Sequence, residues 1–549
     1  MKKYLFFPIL IVTINLYGQQ LPGFGLTGLK YFDLTHNPGN IPIIQTSWIK
    51  KNLDSLNVPI VRQMENHGLT WDYMETPNNS FHFLKADSLI IINPVTNFFA
   101  ELFYSRGATS DLRFAPWDTS HLYDSASYRQ DYVLKVVSHY KNYIDFWEIG
   151  NEQSHGWMAR VFQPYQYANL VQETSPTIYS TDPGSKIVLS GLGSPEDEWN
   201  TNDSNIVWLD SVLIALGNNP GQYFDIVDCH MYIDWYRIPV FIRKIQSILN
   251  QHGCGNKFIM VGENGISSDY SNTWPLAGVG TKQQANEIFT RMCLAVASGA
   301  VQSNWFSHID GFGNNGNFQG YGSVYHEPNG LISQKPSWYS LQLLYNELVN
   351  FTSVQMISEG DSLTGNGNYV IKFIIGGQEK YVAWNVNGSN YTLTGLTGNS
   401  AQIKNTVCNT SIQTIGSLTD EWPALVNNNP VFQTNTASIS GGNLNLTLSS
   451  TPILITINNN TGITEENENQ TFSIYPNPFS SQTILQTNKN LQNATLTIEN
   501  IFGQTVSQIK NISGHTVILN RDNLATGLYF VRLMQGNKIL IVKKTLITD

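Results

Sequence analysis

Two apolar runs of the chain end in carboxylates. One reads Asp145-Phe146-Trp147-Glu148-Ile149-Gly150-Asn151-Glu152, the other Phe258-Ile259-Met260-Val261-Gly262-Glu263-Asn264-Gly265. Two carboxyl groups held about 5–5.5 Å apart can cleave a glycosidic bond with retention of configuration, one protonating the leaving oxygen while the other attacks the anomeric carbon. Further polar residues close apolar runs in the same way. Arg62 follows Pro59-Ile60-Val61, and His230-Met231-Tyr232 follows Ile226-Val227-Asp228-Cys229. On a strand, two-residue spacing points His230 and Tyr232 to one face and turns Cys229 away from it. Glu148 shares a face with Glu152 but lies deeper, where a buried carboxylate needs a cation such as Arg62. Cys229, Cys254, Cys293 and Cys408 have no zinc-site spacing, and there is no EF-hand loop. The two-carboxylate chemistry needs no metal or organic cofactor.

A sheet rim that gathers several strand ends would bring these residues together. From about residue 21 to residue 350 the sequence alternates short β-rich runs with helical patterns, the rhythm of βα units on a parallel sheet. Strands are expected at 25–32, 59–63, 97–103, 144–150, 186–191, 225–231, 257–261 and 300–306, and helices at 47–56, 205–216, 239–251, 282–298 and 336–349. Eight such units fit an α/β fold of the (β/α)8 TIM-barrel type, whose active sites lie at the C-terminal ends of the strands. Glu152 and Glu263 then end the fourth and seventh strands, a separation that suits three βα units of at least ~30 residues.

The remaining segments read differently. Residues 1–18 have the charged, apolar and small-residue order of a signal peptide, and Thr13 and Asn15 keep the apolar run short of the ~20 residues of a membrane span. After a barrel over 19–350, residues 351–457 alternate like an all-β sandwich, 458–470 form a polar linker, and 471–549 make a third, small β-rich unit. The 549 residues are 41% hydrophobic and only 13% charged, which excludes a disordered chain or a coiled coil. A net charge of −10 argues against unaided binding of nucleic acid. Four cysteines are too few for a disulfide framework.

The barrel resembles clan A of the glycoside hydrolases, whose pattern is Asn-Glu ending the fourth strand and Glu ending the seventh. The resemblance implies that Glu152 is the acid/base, that Glu263 is the nucleophile, and that Asn151 contacts the sugar 2-hydroxyl. It also implies that Tyr232, beside His230, hydrogen-bonds Glu263, that Arg62 lies near the nucleophile, and that Trp305 floors the −1 sugar subsite. Gln153 stands where many members have Pro, and Gly262-Glu263-Asn264-Gly265 departs from the commoner wording with Thr before Glu. The last unit resembles the type A sorting domain of the type IX secretion system of Bacteroidetes, through Tyr475-Pro476-Asn477-Pro478-Phe479, Gly503, Leu524, Gly527-Leu528-Tyr529-Phe530-Val531-Arg532-Leu533 and Lys543-Lys544.

Together these imply a secreted or surface-exposed retaining glycoside hydrolase acting on a β-linked plant or algal polysaccharide or oligosaccharide. Its other partner would be the secretion machinery. The competing expectation is a non-catalytic carbohydrate-binding or adhesin protein, which has no use for two facing carboxylates. Loop aromatics Trp71, Tyr73, Trp117, Trp157, Trp235, Tyr236 and Trp274 could line sugar subsites or only pack loops. Asp234, Asp269 and Asp310 could bond sugar hydroxyls or face solvent.

Overall fold

The computed structural model describes residues 21–27, 52–63, 126–154, 163–195, 204–270, 278–310, 320–326, 331–409, 413–417, 432–458, 472–500, 504–536 and 538–549, with short pieces between 75 and 102. The expected signal peptide lies outside them. The chain divides into two units, Met1–Ile457 and Asn458–Asp549.

In the first unit, eight parallel strands close into a barrel: β1 Phe24–Thr27, β2 Val61–Gln63, β3 Phe98–Leu102, β4 Ile144–Ile149, β5 Lys186–Leu192, β6 Ile226–Met231, β7 Phe258–Asn264 and β8 Ala300–Phe306. Each pairs with its sequence neighbours, and β8 pairs with β1 to complete the ring. These are the eight strands expected, because strands buried on both faces read as near-continuous apolar runs. Six helices are used below: α1 Ala126–Tyr140, α2 Pro164–Thr181, α3 Ser204–Ala215, α4 Ile238–Gln251, α5 Thr281–Ala297 and α6 Pro336–Leu348. Of the helix expected at 47–56, residues 52–56 are helical and the rest lie outside the described residues.

The sequence reading did not expect α1 or α2. The buried stripe of α2 is Tyr167, Ala168, Leu170, Val171, Thr174, Ser175 and Ile178, so its helical period passes through two hydroxyl residues. It also carries Pro176, which removes an intrahelical N–H. In α1 the buried Tyr132, Val133, Val136, Val137 and Tyr140 keep the period, but Leu134 faces solvent and blurs it.

Beyond α6, strands Ser353–Ser358, Tyr369–Ile375, Gln378–Trp384, Ser400–Asn405, Thr434–Ser438 and Ile453–Asn458 form one sheet, and Ser389–Leu393 pairs with Leu444–Leu448 in a second. Strict alternation sends Leu444, Leu446 and Leu448 between the sheets and Asn445 and Thr447 outward. The other face of the large sheet, with Tyr369, Ile371, Phe373, Val382 and Trp384, joins the hydrophobic core of the barrel. The second unit has strands Phe472–Tyr475, Gln482–Glu499, Thr505–Asn520, Gly527–Gln535 and Lys538–Ile547 around its own core of Leu485, Leu496, Ile498, Val531, Leu533 and Ile547. All four cysteines are buried thiols outside any disulfide. Among the described residues no helix is long and apolar enough to cross a membrane.

Candidate active site

The site is built around Arg62, at the end of β2 and fully buried. Its Nε and Nη2 donate to the two carboxylate oxygens of Glu148 on β4, at 2.8 and 3.1 Å. Nη2 also donates to Asn151 Oδ1 at 3.0 Å, and Nη1 to Glu263 Oε1 at 3.0 Å. Asp228 Oδ2, on β6, lies 3.4 Å from Nε. One planar guanidinium thus ties the ends of β2, β4 and β7 together. Its fork suits paired carboxylate oxygens in a way an ammonium does not.

The turn after β4 sets the second carboxylate. Gly150 has φ +81°, and Glu152 itself has φ +46°, a left-handed conformation that non-glycine residues seldom adopt. Gln153 pins the turn. Its N–H donates to Ser190 Oγ at 3.1 Å and its Nε2 to the Asn151 carbonyl at 3.0 Å. A proline at 153 could make neither bond, which gives this departure from the clan pattern a structural reason.

His230 stands between the two glutamates. Its Nδ1 is 2.6 Å from Glu152 Oε1 and 3.6 Å from Glu263 Oε2, while Nε2 is 3.7 Å from Asp228 Oδ2. Gly191 on β5 makes room for the ring, since a Cβ there would come within 2.3 Å of Nε2. Tyr232 donates its hydroxyl to Glu263 Oε2 at 2.5 Å, so Arg62 and Tyr232 hold one oxygen each of the Glu263 carboxylate. The oxygen and nitrogen atoms that Glu152, His230 and Glu263 offer all lie within 4.8 Å of one another.

Four carboxylates, Glu148, Glu152, Asp228 and Glu263, therefore face one guanidinium and one imidazole, and protons must make up the balance of charge. Burial alone would lower the pKa of His230, but Glu263, Asp228 and Glu152 around the ring raise it well above its ordinary value and hold it as imidazolium. Burial pushes Glu148 up to about 8, against the pull of Arg62 and with the help of Asp228. Burial and the neighbouring Glu263 also raise Tyr232, which stays a neutral donor. Glu152, His230 and Glu263 approach closely enough to chelate a cation.

Six of the expected residues, Arg62, Asn151, Glu152, His230, Tyr232 and Glu263, meet at one rim of the barrel. Trp305 does not join them. Its side chain is fully buried in the main hydrophobic core. Phe306, the next residue of β8, packs edge-on against Tyr232 at 5.8 Å and shares a buried cluster with Tyr232 and Tyr321. The register of β7 and β8 shifts between Ser303 and Trp305, so alternation counted from sequence loses its phase there. Asp228, not singled out from sequence, has the parity of His230 and Tyr232 on β6, which was the available signal.

Among the loop aromatics, Trp235 packs on Tyr369 and Trp384 of the sandwich at 5.1 and 5.9 Å, and Tyr236 donates to Asp234 at 2.8 Å. Trp71, Tyr73, Trp117, Trp157 and Trp274 lie outside the described residues. Asp310 pairs with the buried Lys335 at 2.7 Å, and the backbone N–H of Asp269 bonds Ser267 Oγ.

The chain resembles a family 39 glycoside hydrolase from the gut symbiont Bacteroides cellulosilyticus WH2, with 15% identity and a TM-score of 0.53 over 80% of this chain and 82% of that one. A glucosidase from Croceicoccus marinus matches with 12% identity and a TM-score of 0.51, over 79% and 95% of the two chains. A monomeric β-xylosidase from Caulobacter crescentus CB15 matches with 14% identity and a TM-score of 0.51, over 80% and 96%. No curated protein matches the chain. Residues 473–548 match the model of the secretion system C-terminal sorting domain. The chain thus combines the barrel fold of these glycoside hydrolases with a type IX sorting domain that marks it for export to the medium or the cell surface.

Proposed function

We propose that this is an exported, retaining glycoside hydrolase that cleaves a β-linked plant or algal glycan by double displacement. Glu263 attacks the anomeric carbon while Glu152 protonates the leaving oxygen; Glu152 then takes a proton from the water that releases the sugar. The observation that carries this reading is the approach of the Glu152 and Glu263 oxygens to within 4.8 Å, with Arg62 and Tyr232 each bound to one oxygen of Glu263. That separation falls short of the ~6.5 Å at which two carboxyl groups leave room for an intervening water and invert configuration. In this reading His230, bonded to Glu152, orients its carboxyl, and Asn151, bonded to Arg62, meets the sugar 2-hydroxyl. The domain boundaries at 19–350, 351–457, 458–470 and 471–549 belong to the same proposal.

The test is to screen the full chain against 4-nitrophenyl β-glycosides and plant and algal polysaccharides, then to follow the first-formed anomer by proton NMR. A β-anomer that appears first and later mutarotates is the expected result. Glu263→Gln should abolish turnover and leave the fold intact. Turnover near the wild-type rate in that variant, or an α-anomer formed first, refutes the mechanism. Glycan binding with no hydrolysis by the wild-type chain would favour the adhesin reading.

A further inference from the structure

We propose that Arg291, on α5, is a positioning residue that holds Tyr232 against Glu263; the proposal rests on the reading of Glu263 as nucleophile. Arg291 is 1% exposed and lies in neither strand rim. Its Nη1 donates to the carbonyl of Met231 at 3.3 Å and to that of Ile233 at 2.8 Å, the two residues on either side of Tyr232. Its Nε is fixed by Glu287, one helical turn earlier, at 2.7 Å. The backbone N–H of Tyr232 donates to Ser194 Oγ at 3.0 Å. The peptide units around Tyr232 are therefore gripped by a buried cation on one side and a hydroxyl on the other.

That grip has a use beyond packing. The phenol of Tyr232 reaches Glu263 Oε2 at 2.5 Å, and such a bond tolerates little displacement of the chain that bears it. Met231 ends β6, and Tyr232 and Ile233 lie in the loop that follows it. Helix α5 follows β7, which carries Glu263. A single βα unit thus supplies the carboxylate and, through Arg291, the anchor for the phenol that binds it. A misplacement of the order of 1 Å at a reacting group can cost ~10²-fold in rate, which sets the size of the effect.

The experiment uses the full chain with the 4-nitrophenyl β-glycoside that the wild type turns over fastest, together with 3-fluorotyrosine placed at position 232. Arg291→Gln should lower kcat ~10- to 100-fold with KM changed by less than about threefold, and should move the fluorine resonance. In a Tyr232→Phe background the same substitution should change kcat by no more than about twofold, because the bond it protects is already gone. Additive losses in the double variant, an unchanged kcat, or an unmoved fluorine resonance would overturn the proposal. If Arg291→Gln fails to fold, Arg291→Lys should show smaller changes in the same directions, and no change there counts against it equally. If the wild type hydrolyses no glycoside, the proposed function falls, and the fluorine resonance alone decides whether Arg291 positions Tyr232.

Discussion

At the scale of single residues, the group proposed to move the proton is held in a strained backbone conformation. Glu152 sits at φ +46°, a region that costs an L residue roughly 1–2 kcal/mol and is relieved by glycine. Glu152→Gly should therefore be more stable than Glu152→Ala by about 1 kcal/mol, while both lose ~10²–10⁴-fold in turnover of substrates with poor leaving groups. Urea denaturation of the two variants beside wild type checks the first claim, and an alanine variant as stable as the glycine one would contradict it. The type and place of the acidic residues were legible because each closes an apolar run. The twist that turns Glu152 toward His230 was not, because a positive φ at a non-glycine residue leaves no mark in composition. The displacement of Trp305 by Phe306 has a similar origin, since a shift of one residue sends every side chain to the other face of a strand.

At the scale of elements, the strands were the readable part and their close approaches the unreadable part. Apolar runs marked all eight barrel strands, but nothing in them said that β5 must carry a glycine where β6 presents His230. A Cβ at position 191 would come within 2.3 Å of Nε2, against a ring packed among three carboxylates. Gly191→Ala should destabilise the barrel by ~1–3 kcal/mol through overpacking and should disturb the bond between His230 and Glu152. Thermal denaturation and a pH–rate profile of this variant test both effects, and a wild-type melting point with an unshifted profile would count against the packing described here. Helices α1 and α2 escaped notice for the opposite reason: their buried stripes are made in part of hydroxyl and aromatic residues, so periodicity in hydrophobicity understates periodicity in burial.

At the scale of the molecule, the buried charge cluster gives the first unit a pH dependence of definite sign. His230 and Glu148 both have folded-state pKa values raised above their usual ones. Each contribution is complete below the group's unfolded pKa and is lost as pH rises through its folded one, near 8 for Glu148 and well above 6.5 for His230. Between about pH 6.5 and pH 8 the folded chain binds more protons than the unfolded chain, and stability should fall by up to ~1.4 kcal/mol per pH unit for each extra proton. Denaturation midpoints measured across that range should decline, and less steeply in His230→Asn; a flat or rising curve would contradict the assignment. The C-terminal unit was legible as a β-rich sorting domain through its ordered motifs, but not in the extent of its strands. The strand Gln482–Glu499, for one, is hard to read from sequence because it runs through the polar stretch Gln486–Asn490.

The four buried thiols, none of them in a disulfide, bear on where such a molecule can work once it has left the cell. With no covalent staple to form, maturation needs no oxidant, and with none to break, an anoxic, sulfide-rich setting threatens it no more than an aerated one. Durability outside the cell is left to side-chain packing and to the salt-bridged heart of the barrel, both indifferent to redox conditions.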